Sequence, residues 1–85
     1  MGNSERGKFM KNRIGEMAGR VWRILGEKEN VDISTLSQIL KEKGEIVYQA
    51  LGWLARENKI AFHRREGKTF ASLSHEEREI FKKPL

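Results

Sequence analysis

Three consecutive stretches set the architecture of this chain: Val31-Asp-Ile-Ser-Thr-Leu-Ser-Gln-Ile-Leu40, Glu45-Ile-Val-Tyr-Gln-Ala-Leu-Gly-Trp-Leu-Ala-Arg-Glu-Asn-Lys-Ile60 and Ala61-Phe-His-Arg-Arg-Glu-Gly-Lys-Thr-Phe-Ala-Ser-Leu73. In the first, Leu36, Ile39 and Leu40 recur at helical spacing behind Ser34, a favourable N-cap, and predict a short helix with one buried stripe. Lys43-Gly44 is a turn in which Gly44 is expected to supply left-handed or otherwise unusual backbone. In the second, Val47, Ala50, Leu51 and Leu54 predict the inward side of a longer helix over about Glu45–Asn58, with Asn58 able to end it in the left-handed conformation. The third reads as two strands, Lys59–Arg65 and Thr69–Leu73, around Glu66-Gly67-Lys68. A loop of two residues and one of three give registers that differ by one, and both remain open. Ile60 and Phe62 share a strand face and are the expected buried pair.

Outward from this centre, Ile14, Met17, Ala18, Val21, Ile24 and Leu25 form the apolar stripe of a first helix over about Asn12–Lys28, with Asn12 as its expected N-cap. Glu16 and Arg20 stand an i,i+4 ion pair apart on the opposite side. Gly15 and Gly19 each cost about 1 kcal/mol inside a helix relative to Ala. Their expected reason is close approach of another helix, from this chain or a partner. Asn30–Ile33 reads as a short extended link, long enough for one rung of strand. Ser74 and Glu77 make a capping box that starts a last helix carrying Ile80 and Phe81, stopped before Pro84. Residues 1–11 lack periodicity and are expected to form a disordered arm, leaving 12–85 as one α+β domain.

Composition limits what such a domain does. The 85 residues carry 17 basic and 12 acidic side chains, a net charge of +5, and no cysteine; the pI is near 9.8. Residues 1–30 hold seven basic and four acidic groups, residues 31–58 three and four, and residues 59–85 seven and four. The positive field thus sits on the first helix, the hairpin and the tail, while the two central helices are faintly acidic. Without thiols there is neither a disulfide nor a thiolate metal site. No apolar run approaches the ~18 residues of a membrane helix, and the chain does not open with the apolar segment of a signal peptide, so a cytoplasmic protein is expected. His63 and His75 have no further ligands at metal-binding spacing. There is no phosphate-cradling loop and no Ser with a credible His–carboxylate partner. Neither a cofactor nor enzymatic activity is expected.

Val47-Tyr-Gln-Ala-Leu51-Gly-Trp-Leu54-Ala-Arg-Glu-Asn-Lys-Ile60, preceded by a short helix and a glycine turn and followed by a basic hairpin, resembles the winged helix-turn-helix superfamily. The likeness is to small stand-alone prokaryotic domains. It implies a three-helix core, a β-hairpin wing and a short C-terminal helix. It also implies binding of duplex DNA, as a transcription regulator or nucleoid-associated factor, with the third helix in the major groove. Carried onto this chain, the groove-facing positions are Glu45, Ile46, Tyr48, Gln49, Gly52 and Arg56, and the wing-tip positions are Arg64, Arg65 and Lys68. Gln49 is of a type suited to reading base edges, and Tyr48 can meet phosphate. Arg20, with Arg13 and Arg23, would add field from the first helix. A homodimer is implied in the same way. A rival reading makes the chain a protein-interaction module, with Ile46, Tyr48 and nearby apolar surface as the contact, because aromatic side chains dominate interface hot spots.

Overall fold

The computed structural model describes the backbone of residues 2–83 and the side chains of residues 12–83; of the stretch 1–11, expected to form a disordered arm, residues 2–11 are helical in backbone and residue 1 lies outside the described residues. The elements are α1 (Gly2–Lys28), β1 (Val31–Asp32), α2 (Ile33–Leu40), α3 (Gly44–Arg56), β2 (Ile60–Arg65), β3 (Lys68–Leu73) and α4 (His75–Lys82). β1, β3 and β2, in that order, form an antiparallel sheet. Helices α1 to α3 pack on one face of it, so the fold is α+β with a three-helix core and a hairpin wing.

The core is drawn from every element except α4. Val21 and Leu25 of α1, Leu36 of α2 and Val47 of α3 are its largest fully buried side chains, joined by Ala50, Leu51 and Leu54. From the sheet come Val31, Ile60, Ala71 and Leu73. Ile14 and Ile24 are only half-buried, at the margin of this cluster. Ile39, expected inside, is exposed, because eight residues of α2 turn only Leu36 and Leu40 fully inward.

Three helix ends differ from expectation, each for a local reason. α1 is continuous through Asn12, which therefore caps nothing. α2 is capped by Asp32 rather than Ser34: the Asp32 carboxylate accepts the Ser34 backbone N–H at 3.0 Å and the Ser34 hydroxyl at 2.8 Å. Asp32 also belongs to β1, so strand and cap share one residue and the helix starts at once. The turn after α2 uses Lys41, not Gly44, as its left-handed residue (φ 55°). The Glu42 N–H donates to Ser37 O and the Lys41 N–H to Gln38 O, which completes a Schellman closure. Gly44 is simply the first residue of α3. α3 ends through the same device. Asn58 takes φ 59°, the Lys59 N–H donates to Leu54 O, and the Asn58 N–H donates to Ala55 O.

The hairpin turn is the two-residue loop Glu66-Gly67, both with positive φ as a type I′ turn requires. That settles the register: Ile60 pairs with Leu73, Phe62 with Ala71, Arg64 with Thr69 and Arg65 with Lys68. Phe62 stands on the core face beside Ile60, yet it is 45 % exposed, because the wing runs out past the helices that cover Ile60.

α4 lies across α1. A methyl on Gly26 would fall 2.5 Å from Phe81 Cδ2, so Gly26 is the glycine that lets a helix approach; nothing lies within 4 Å of where a Cβ would stand on Gly15 or Gly19. Phe81 meets Trp22 edge to face at 5.4 Å. Ser74 caps α4 through the Glu77 N–H, as the capping box predicts. The Glu77 carboxylate instead accepts the Trp22 indole N–H at 2.9 Å, so the box closes on one side only. Ile80 remains exposed.

Candidate nucleic-acid interface

The inward residues of α3 are Ile46, Val47, Ala50, Leu51 and Leu54. Helical periodicity then turns Glu45, Tyr48, Gln49, Gly52 and Arg56 outward, with Trp53 on the flank, and all six are exposed. Ile46 is 8 % exposed and belongs to the core, which corrects its assignment both to a groove contact and to a partner surface. Tyr48 (52 % exposed) keeps the outward placement expected of it. Trp53 is 48 % exposed beside Ile14, Gly15 and Arg56, on the α1 side of α3 rather than beneath the wing. The surface of α3 is thus short and mixed, with one carboxylate, one amide, one guanidinium and two aromatic rings.

Strand alternation divides the wing cations between two faces. Arg64 is on the core-side face with Phe62, where its Nη1 donates to Thr69 Oγ1 at 3.2 Å. Arg65 and Lys68 are directly opposite one another on the outer face at the tip. Like charges in that position repel and destabilise a ladder by roughly 0.2–1 kcal/mol. The same outer face carries Asp32 and Phe70, which are paired across β1 and β3. The Ser34 hydroxyl, then the Ser34 backbone N–H, hold the Asp32 carboxyl below its ordinary value; Lys68 adds to this and burial opposes it. On this face too, His63 Nε2 and Ser72 Oγ are 3.2 Å apart.

Arg20 is placed apart from the wing. Its Nη1 donates to Glu42 Oε2 at 3.0 Å and its Nη2 to Leu40 O at 2.7 Å, while Arg13 meets the other Glu42 oxygen at 3.4 Å. These contacts replace the expected Glu16–Arg20 pair among the described ion pairs. Arg20 therefore ties α1 to the end of α2 and to the turn that aims α3. Its charge is partly answered within the molecule.

Tyr48, Gln49 and Arg56 thus share one helix side, Arg64, Arg65 and Lys68 share one hairpin, and Arg20 belongs to the support. Glu42, Thr69 and Phe62 escaped the reading of the sequence as site residues. The partners of Glu42 lie 22 and 29 residues away. The place of Thr69 opposite Arg64 follows only once the loop length is known. Among the described residues, no helix is long and apolar enough to cross a membrane.

Comparisons with known proteins agree with this architecture. Residues 9–73 match the family described as "Winged helix-turn-helix domain (DUF2582)". The uncharacterized protein MJ1608 of Methanocaldococcus jannaschii is 45% identical over 56 residues, covering 60% of this chain and 76% of its own. Protein BT2368 of Bacteroides thetaiotaomicron, solved in solution, is 33% identical over 78% of this chain and 80% of its own, with a TM-score of 0.68. The transcriptional regulator HlyU of Vibrio vulnificus superposes with a TM-score of 0.70 over 94% of this chain and 84% of its own, at 18% identity, a likeness of fold alone. Because the family match runs from α1 through the wing, the chain belongs to the winged helix-turn-helix domain family DUF2582.

Proposed function

We propose that this protein binds duplex DNA, in the manner of a transcription regulator or nucleoid-associated factor and without enzymatic chemistry. The outward side of α3 enters the major groove and the wing lies along the backbone. The observation that carries this reading is the pairing of Arg65 with Lys68 across the tip of the hairpin. Two cations kept opposite each other cost stability in the free protein, and a polyanion between them removes the cost. Gln49 is the base-reading group, since its amide matches the N6–N7 edge of adenine. Tyr48, Arg56, Arg64, Arg65 and Lys68 position the backbone, and Arg20 adds long-range field while it steadies the turn before α3. With one amide and one guanidinium on the helix, sequence preference is weak for a single copy. A homodimer would double the contacts by meeting two half-sites. The fold shared with HlyU, a transcriptional regulator, supports the same reading, and a cytoplasmic location goes with it.

A second reading has one observation in its favour: Tyr48 and Trp53 leave two half-exposed aromatic rings on α3. On that reading α3 meets a protein and the basic wing is incidental. An NMR titration with a mixed-sequence DNA duplex, run at low and at moderate salt, separates the two. Shifts on Tyr48–Arg56 and Arg64–Lys68 that weaken with salt support DNA binding. Shifts confined to residues 69–83, or none at duplex concentrations up to about 1 mM, remove it, because non-specific binding lies at about 10⁻⁴–10⁻⁶ M.

A further inference from the structure

Phe62 is the large apolar residue of the wing that the core leaves uncovered. It pairs with Ala71, which is fully buried, and it shares a sheet face with Ile60 and Leu73, also buried. Its own ring is 45 % exposed. Two residues further along that face comes Arg64, about 7 Å away by strand geometry, its guanidinium steadied by Thr69 at 3.2 Å. The face therefore presents an apolar ring and then a fixed cation. A nucleic-acid backbone alternates in the same way, between a charged phosphate and a sugar whose C–H edge is apolar in DNA.

We propose that Phe62 is a deoxyribose contact: its ring rests on a sugar of the strand whose phosphate Arg64 holds, and in doing so favours DNA over RNA. This rests on the duplex-DNA reading above and names a non-ionic part of the same interface. The distribution of charge on the molecule makes room for such a part. α3 offers only Arg56 against Glu45, and Arg13 and Arg20 are engaged with Glu42. A ribose would set its 2′-hydroxyl, a donor and acceptor, against a ring that cannot hydrogen-bond with it.

The test compares wild type, Phe62→Ala, Phe62→Leu and Arg64→Ala on a mixed-sequence DNA duplex and on the RNA–DNA hybrid of the same sequence, from 50 to 200 mM salt. Phe62→Ala should weaken duplex binding about five- to tenfold, the equivalent of ~40–60 Å² of apolar surface returned to water. The salt slope should stay unchanged, and the preference for duplex over hybrid should fall. Arg64→Ala should instead flatten the slope by about 0.9. Phe62→Leu keeps an apolar side chain at this half-exposed position and controls for loss of fold. In wild type labelled with ¹³C at Phe, the Phe62 ring should show NOEs to sugar H2′ and H2″ protons. Ring signals unmoved by DNA while α3 and wing amides shift, or a duplex-to-hybrid ratio untouched in Phe62→Ala and Phe62→Leu, overturn the proposal. Absence of every shift, wing included, is the different result that defeats the duplex reading itself.

Discussion

Replacing Arg65 by Gln should move stability and DNA affinity in opposite directions, because Arg65 stands directly opposite Lys68 at the hairpin tip. Removing one of two facing cations relieves roughly 0.2–1 kcal/mol. For a domain of this size, about 0.5 kcal/mol corresponds to a rise of about 2–4 °C in Tm. Gln keeps a polar, unbranched stem at the same strand position, and Lys68 keeps its attraction to Asp32. The effect should be largest at low ionic strength, where screening is weak. In binding, the four cations assigned to the DNA backbone, Arg56, Arg64, Arg65 and Lys68, give a slope of log K against log salt near −3.6, at about −0.9 per phosphate neutralised. Arg65→Gln should bring it to about −2.7 and lower affinity about eightfold at 0.1 M salt. Calorimetry and fluorescence anisotropy on a mixed-sequence duplex read the two effects. A fall in Tm would show that the pair does not repel. An unchanged slope would take Arg65 out of the interface.

Three further expectations concern the scaffold. Lys41→Gly should raise stability by about 0.5–1 kcal/mol, since a lysine there bears left-handed backbone that glycine adopts freely; urea unfolding measures it. Gly26→Ala should destabilise by about 1–2 kcal/mol despite its better helix propensity, because the methyl meets the Phe81 ring and displaces α4. Trp22 fluorescence and Tm would report it, and an unaltered Trp22 signal would refute it. The Asp32 carboxyl lies below its ordinary value, so its contribution is present above about pH 4 and is lost as pH falls through the depressed value. Asp32→Asn should therefore have a lower Tm than wild type at neutral pH, with the gap closing in acid; a constant gap would contradict the assignment.

Much of the fold was legible because its signals are local. The stripe Val47, Ala50, Leu51 and Leu54 is a period of 3.6 and nothing else, and it placed α3 to within two residues at each end. Asn58 and Ser74 were readable for the same reason, since a cap is chemistry within one turn. Where two local solutions competed, packing decided between them. Asp32 captured the N-terminus of α2 from Ser34 because the strand it also serves ends there. Lys41 took the left-handed position because the Schellman closure depends on where α2 stops, and Gly44 comes three residues later. Among the candidate site residues, Tyr48, Gln49 and Arg56 followed from the same period. Strand alternation separated Arg64 from Arg65, while their partners, Thr69 and Lys68, waited on the register.

Periodicity and turn chemistry along the chain were sufficient for the existence and order of the helices and strands and for the outward side of α3, because each of those is settled by neighbours within a few residues. Which surfaces stay open was not settled that way. Gly26 rather than Gly15 or Gly19 seats the last helix, Glu42 engages Arg13 and Arg20, and Phe62 projects beyond the core that covers Ile60. Each outcome depends on residues ten to fifty-five positions apart meeting in space. Such meetings are fixed by how elements pack against one another, and nothing in the local pattern of any one element carries that information.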